Sequence, residues 1–245
     1  MQNVSALYTS IISGDHWFET KLEVRDPNGK PDTASVIATY GESDGLFSIV
    51  TEIAMYTETP LIGRVVAGEI DVKMIKPSAT FPAMAMLRPW VRACNETQQS
   101  EWIPQGVYFV DTREESKTVY GESVLCLHGY DAMLRAEQPY ASTNLNWPAS
   151  MSDIVAEIAQ MINVDQDSRN EIANYSLPLP VGYSLREILG YIAQVSGGCW
   201  IMTEQGKLRL VRPFDLPDET NLILADAVDI LTIGGDAILV KAAAQ

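Results

Sequence analysis

The spacing of apolar residues changes once along this chain, near Tyr130, and that change limits the folds available to it. Before it, the run Glu69–Pro77 alternates strictly. Ile70, Val72 and Met74 point one way and Glu69, Asp71 and Lys73 the other, until Pro77 ends the run. A period of two with a terminal proline is the pattern of a strand buried on one face. The stretches SVIATYGESDGLFSIVTEIAMYT, PWVRA, GVYFVDT and ESVLCLHGYDAML are rich in β-branched and aromatic residues. Turn formers break them at Pro27-Asn28-Gly29, at Glu42-Ser43-Asp44-Gly45, and at Pro60, Pro77 and Pro82. Short strands at such regular spacing predict a β-barrel or β-sandwich over residues 1–130. Within it, Arg88 to Asp111 reads as strand, polar turn, strand, with Trp102, Ile103 and Pro104 opening the second strand and Val107, Tyr108 and Phe109 packing it.

After Tyr130 the period lengthens. In SMSDIVAEIAQMINV, Ser150 precedes Asp153 by three residues, and Ile154, Ile158 and Ile162 recur every fourth position. In YSLREILGYIAQVSGG, Ser184 and Glu187 have the same spacing, and Leu185, Ile188, Leu189, Ile192 and Val195 form one stripe closed by Gly197-Gly198. Both stretches predict capped amphipathic helices. CWIMTEQGKLRLVRP then predicts a hairpin turning at Glu204-Gln205-Gly206. The expected class is therefore α+β: a barrel- or sandwich-like β domain over 1–130 and a smaller two-helix α/β subdomain over 131–212. One or two further strands over 213–245 would return to the β domain or begin another.

Composition narrows the function. The chain has 245 residues, with 17 Lys plus Arg against 32 Asp plus Glu, a net charge of −15. Such a surface repels phosphates, which excludes a sequence-reading DNA binder. The acids either keep the protein soluble or form a surface past which DNA slides without sticking. No apolar run approaches the roughly 18 residues that span a bilayer, so no membrane insertion is expected. The N-terminus lacks a basic start followed by an apolar core and does not read as a signal peptide. Cys94, Cys126 and Cys199 are odd in number and widely spaced, which argues against a disulfide framework and for a reducing site of synthesis.

Reactive chemistry is sparse. His16 and His128 lie in strand-like stretches, without a second ligand at metal-binding spacing. Cys126, within VLCL, and Cys199, after Gly-Gly, read as core residues. Gly234-Gly235 reads as a turn or bulge. No nucleophile elbow, zinc-protease motif, P-loop or dinucleotide fingerprint occurs. Two glycan readings stay open. One is a hydrolase using acids among Glu101, Asp111, Glu114 and Glu115, although the runs around Glu42 and Glu114 read better as solvated turns. The other is a carbohydrate-binding module with Trp17 and Trp102 as its platform. The expectation is no enzyme and no catalytic, cofactor or metal site.

The stretches SEWIPQGVYFVDTRE and LCLHGYDAMLRAEQPY, followed in order by SMSDIVAEIAQMINV and YSLREILGYIAQVSGGCWIMTEQGKLRLV, resemble the N-terminal hub region of phage tail-tip proteins. That group includes the tail-associated lysins of long-tailed phages and the baseplate hub of contractile ones. The likeness spans about residues 65–215. It implies a homotrimer, made in the host cytoplasm and built into the virion tail. Its β domains would form a ring closing the tail tube and docking on the distal tail or tube protein, with tape-measure and tip or fibre proteins as further partners and DNA passing through the channel. It also implies that this region is not lytic. Family hubs continue into a second β domain, whereas this sequence stops at Gln245, so an abbreviated hub or part of a longer chain is expected. A ring would cover apolar surface such as Trp17, Phe18, Trp90 and Trp102, and Glu42, Asp44, Glu114 and Glu115 are the acids considered for the channel wall.

Overall fold

The computed structural model describes residues 4–53, 62–117, 121–141 and 144–212, with three strands at 222–225, 228–233 and 236–241. The order is α1 (Ala6–Ile12), β1 (Trp17–Arg25), β2 (Val36–Gly41), β3 (Leu46–Glu52), β4 (Glu69–Ile75), β5 (Met86–Cys94), β6 (Ile103–Pro104), β7 (Tyr108–Lys117) and β8 (Ser123–Asp131). After these come β9 (Ala149–Ser150), α2 (Met151–Met161), β10 (Ser176–Leu177), α3 (Leu185–Ser196), β11 (Cys199–Met202) and β12 (Leu208–Val211). The chain ends in β13 (Leu222–Ala225), β14 (Val228–Ile233) and β15 (Asp236–Lys241). The fold is α+β. No helix of the described residues is long and apolar enough to cross a membrane.

One sheet dominates, in the order β2-β1-β5-β7-β8-β4-β3, with β6 added to β5. All its pairings are antiparallel. Seven alternating strands leave β2 and β3 running the same way, so joining the edges would require a parallel pair. None forms among the described residues, and the sheet is not a closed barrel. It is nonetheless wrapped. One buried cluster takes Leu22 and Val24 from β1, Leu46 from β3, Val72 and Met74 from β4, and Leu87 from β5. Strands at opposite ends of the sheet can share a core only if the sheet curls around it. The alternation in β4 is seen directly, with Ile70, Val72 and Met74 buried and the residues between them exposed. Each such side chain contributes about 1.5–3 kcal/mol by leaving water.

The stretch from Arg88 to Asp111 is a wall of this sheet, but its second strand is interrupted. β6 pairs with Trp90 and Val91. Gly106, at φ 133°, then redirects the chain before β7 begins. Only glycine reaches that φ without strain. β7 runs on to Lys117, so Glu114 and Glu115 lie on a strand and not in the expected turn. The strand pairs with β8 across a register shift between Val110 and Thr112. Gly129 sits opposite the shift, where a Cβ would lie 2.4 Å from the Phe109 carbonyl oxygen. Glu42 and Asp44 do occupy a turn, a short 3-10 segment between β2 and β3.

A second core packs α2, α3 and the β11–β12 hairpin together, and it takes in Met86, Val107 and Phe109 from the sheet side. Both helices begin as their sequences predict. Ser150 Oγ accepts from Asp153 N at 3.1 Å. Ser184 Oγ accepts from Glu187 N at 3.2 Å, and the Glu187 carboxylate accepts in return from Ser184 N at 2.7 Å. Gly197, at φ 73°, ends α3. Trp200 is fully buried and donates its indole N–H to the Leu189 carbonyl at 2.9 Å, fixing hairpin to helix. Cys199 is in the core as expected. Val195 is not: it lies in the last turn of α3 and is 51% exposed. Periodicity sets the direction of a side chain, not whether another element faces it.

Two elements differ from the sequence expectation. α1 was hidden among strand-like residues, and it is capped by Ser5 Oγ accepting from Tyr8 N at 3.1 Å. The tail forms three antiparallel strands instead of one or two. Gly234 and Gly235 lie outside the described residues.

Asp131 joins the two halves. One carboxylate oxygen accepts from Gly68 N at 2.6 Å and the other from Met133 N at 2.8 Å. Burial pushes its pKa up to about 6, despite these two bonds favouring the charged form. A folded pKa above the unfolded one gives stability that is full below about pH 4 and is lost as pH rises through about 6. The span corresponds to about 3 kcal/mol at 1.36 kcal/mol per unit. Denaturant titrations of wild type and Asp131→Asn are therefore expected to differ progressively in the variant's favour from pH 4 to pH 7. A pH-independent difference would contradict the assignment.

Replacing Ile188 with Asp places an unpaired charge in the helical core and is expected to destabilise by about 3–5 kcal/mol. Val195→Asp is expected to leave the melting temperature within about 2 °C. Thermal unfolding of the two variants checks the helix register.

Candidate interaction surfaces

The acids singled out as a possible hydrolytic set are each held by a different neighbour. The Glu101 carboxylate accepts from Ser5 N at 2.7 Å and Ser5 Oγ at 2.5 Å, ties α1 to the sheet, and has a lowered pKa chiefly through that hydroxyl. Asp111 is exposed at the register shift of β7. Glu115 pairs with Lys76 at 2.7 Å on the surface. Glu114 stands opposite Cys126 of β8. These contacts do not assemble two carboxylates around one substrate bond.

The histidines also have local partners. His16 precedes β1, bonds the Gly14 carbonyl at 2.7 Å through Nδ1 and packs edge-on against Phe18. His128 lies on β8, opposite Asp71 of β4, with Nδ1 2.9 Å from the Asp71 carboxylate. The two residues are 57 apart in sequence, so only strand register could have revealed the pair. They line a hollow of about 490 Å³ on the outer face of the sheet, with Ser48, Lys73, Glu114 and Cys126. Cys126 is thus half-buried on the polar face and not in the core as expected. Alternation explains this, because Leu125 and Leu127 take the core side. No three His, Cys, Asp or Glu side chains among the described residues gather as metal ligands.

The four surface aromatics divide into two pairs. Trp17 and Phe18 are exposed on β1. Trp90 and Trp102 are half-buried beneath cations. The Arg92 guanidinium lies 4.5 Å and Lys21 Nζ 4.8 Å from the Trp102 ring centroid, and the Arg88 guanidinium lies 4.5 Å from that of Trp90. Such contacts contribute roughly 0.5–1 kcal/mol each near the surface.

The largest departure from a self-contained domain lies at the sheet edges. Among the described residues, β2 pairs only with β1, and β3 only with β4. Among the described residues, the N-terminal part of β1, Trp17 to Thr20, is paired by β5 alone. These edges carry exposed apolar side chains: Val36 at 49% and Ile37 at 43% on β2, and Phe47 at 52% and Val50 at 57% on β3. An open edge with apolar residues and few charges templates pairing with another chain. Sequence patterning could mark these residues as strand but could not tell which strands would end the sheet.

No protein-family model matches this chain, and no curated protein sequence matches it. Its fold is similar to that of the 43 kDa tail protein of prophage MuSo2 from Shewanella oneidensis, at 14% identity and a TM-score of 0.52, over 87% of this chain and 61% of that one. A tail protein from Neisseria meningitidis MC58 aligns at 14% identity and TM-score 0.48, over 79% of this chain and 50% of that one. A chain of the Francisella PdpA–VgrG complex aligns at 11% identity and TM-score 0.46, over 85% and 31%. The chain thus spans about three fifths of the Shewanella protein and half of the Neisseria one. At such identity the likeness is one of fold.

Because Glu114 and Glu115 are exposed and the Lys76 pair is solvated, charge reversal there should cost little stability. The double variant Glu114→Lys, Glu115→Lys is expected to melt within about 2 °C of wild type by circular dichroism.

Proposed function

We propose that this chain is a structural component of a phage or phage-derived tail tip. Three copies would form a hub ring that closes the tail tube and joins the distal tail or tube protein to the tip, around a channel for DNA. The observation that carries this reading is the pair of apolar sheet edges, unpaired among the described residues, in a fold similar to that of a phage tail protein. Edges of this kind favour association, and because β2 and β3 differ, apposing β3 of one copy to β2 of the next is a head-to-tail contact. Such contacts close into rings when the rotation permits. The role requires no reacting residue, and we infer that the chain is not an enzyme. In keeping with this, Glu101 is occupied as a helix anchor and the Trp102 ring is covered by Arg92 and Lys21, while Trp17 stays exposed on β1. The net charge of −15 suits a wall past which DNA moves without sticking.

Sedimentation or mass measurement of the purified chain is the test. A trimer is expected at high concentration, or incorporation as a three-fold ring in imaged tails. Ile37→Lys and Val50→Lys, both on exposed positions, are expected to shift the assembly to monomer while the melting temperature stays within about 2 °C. A chain that stays monomeric at every concentration and never joins tail particles would overturn the proposal.

A further inference from the structure

Apart from the sheet edges, a polar groove of about 520 Å³ lies between β6 and the β11–β12 hairpin. Trp102, Ile103 and Pro104 form one wall, and Asp167, Arg169, Glu204, Lys207 and Arg209 are among the residues of the other. Most of its charges are already engaged. Glu101 at its margin is held by Ser5. Asp167 accepts from Arg169 Nε at 2.8 Å and Nη2 at 2.7 Å, and this side-chain bonding holds its pKa down to about 2.

Arg209 is different. It lies on β12 between Leu208 and Leu210, which are buried in the helical core, so its side chain leaves the hairpin on the groove side. Its Nε–H is buried and has no hydrogen-bond partner. Among the described residues, neither the Arg209 guanidinium nor the Lys207 ammonium makes a hydrogen bond or ion pair with an acceptor side chain, and Glu204 likewise has no ion-pair partner. A buried donor without an acceptor carries a substantial free-energy cost, which an acceptor entering the groove would relieve. The lining balances Glu101, Asp167 and Glu204 against Arg169, Lys207 and Arg209, and Arg209 acts on Asp167 only through space. What the groove offers is therefore the unused hydrogen-bond donors of Arg209 and Lys207, enough for a single anionic group. A polyanion would meet Glu204 and the acidic surface of the chain, so nucleic acid does not fit. A planar carboxylate matches the guanidinium fork. The opposite wall is apolar, and β6, which forms it, pairs with β5 along one side only. An extended backbone bearing an apolar residue beside the acid suits that wall.

We propose that this groove binds one carboxylate of an extended Asp- or Glu-containing segment of a partner protein, with Arg209 and Lys207 as its recognition residues. The site is separate from the sheet edges and does not depend on ring formation.

The test follows the Arg209 Nε–H and Trp102 indole N–H resonances of the intact chain by ¹⁵N–¹H NMR. The chain is titrated with acetyl-Val-Glu-Val-amide, with acetyl-Val-Gln-Val-amide, and with inorganic phosphate. Saturable shifts of both resonances are expected with the Glu peptide alone. Lys207→Gln and Arg209→Gln should each weaken its binding about tenfold or more, read at Trp102, whereas Lys76→Gln should not change it. The spectra themselves report whether each variant is folded, and if Arg209→Gln is not, Lys207→Gln decides. No saturable shift, equal binding of the Gln peptide, binding unaffected by Lys207→Gln, or saturation by phosphate as strong as by the Glu peptide would each overturn the proposal.

Discussion

Seven antiparallel strands in one sheet end with both edge strands running the same way, and most of the architecture follows from that. The curled sheet buries one core shared by β1, β3, β4, β5, β7 and β8, yet it cannot complete its hydrogen-bonding by simple antiparallel closure. Among the described residues, the outward backbone groups of β2 and β3 have no strand partner, and Val36, Ile37, Phe47 and Val50 flank them. A monomeric domain usually blunts such edges with lysine, proline or a bulge. Here each edge pairing has one register shift, at Leu46/Ser48 for β3 and at Val24/Arg25 opposite β2, but neither edge strand has a lysine or proline, and the only charged residue on either is Glu52. Packing of this kind is economical when another copy supplies the missing neighbour.

The helical half depends on the sheet in turn. Its core includes Met86, Val107 and Phe109, and Arg135 lies with its guanidinium 4.0 Å from the Phe109 ring centroid. Asp131 bonds backbone on both sides of the junction. α2 and α3 are short, and helices of 11 and 12 residues gain most of their stability from packing, not from propensity. Trp200, buried between α3 and the hairpin, is the natural anchor of that packing.

Local chemistry made much of this legible in the sequence. The alternation of Ile70, Val72 and Met74 gave the face of β4. Ser150 and Ser184 with their partners three residues on marked both helix starts, and Gly197 marked the stop. What sequence could not supply was the pairing of distant strands. The Asp71–His128 contact, the hollow around it and the identity of the edge strands all depend on register. The same limit misplaced Cys126, because in a continuous apolar run the alternation that turns Leu125 and Leu127 inward is not visible. Val195 shows the complementary limit: a stripe predicts a face, but burial also needs something to lie against it. Glu114 and Glu115 looked like a turn because they are polar, yet β7 continues beside Leu125 and Leu127 of β8 with its own side chains exposed.

The central claim is that the free edges of β2 and β3 are surfaces made to be covered. Amide hydrogen exchange measured on the isolated chain and on the chain within an assembled tail or ring tests it most directly. Rapid exchange of the outward amides of β2 and β3 in the isolated chain is expected, with strong protection of those same strands on assembly and little change in β4, β5 and β8, which are already paired on both sides. Exchange in β2 and β3 that is identical in the two states would mean that the edges stay open, and would contradict the claim.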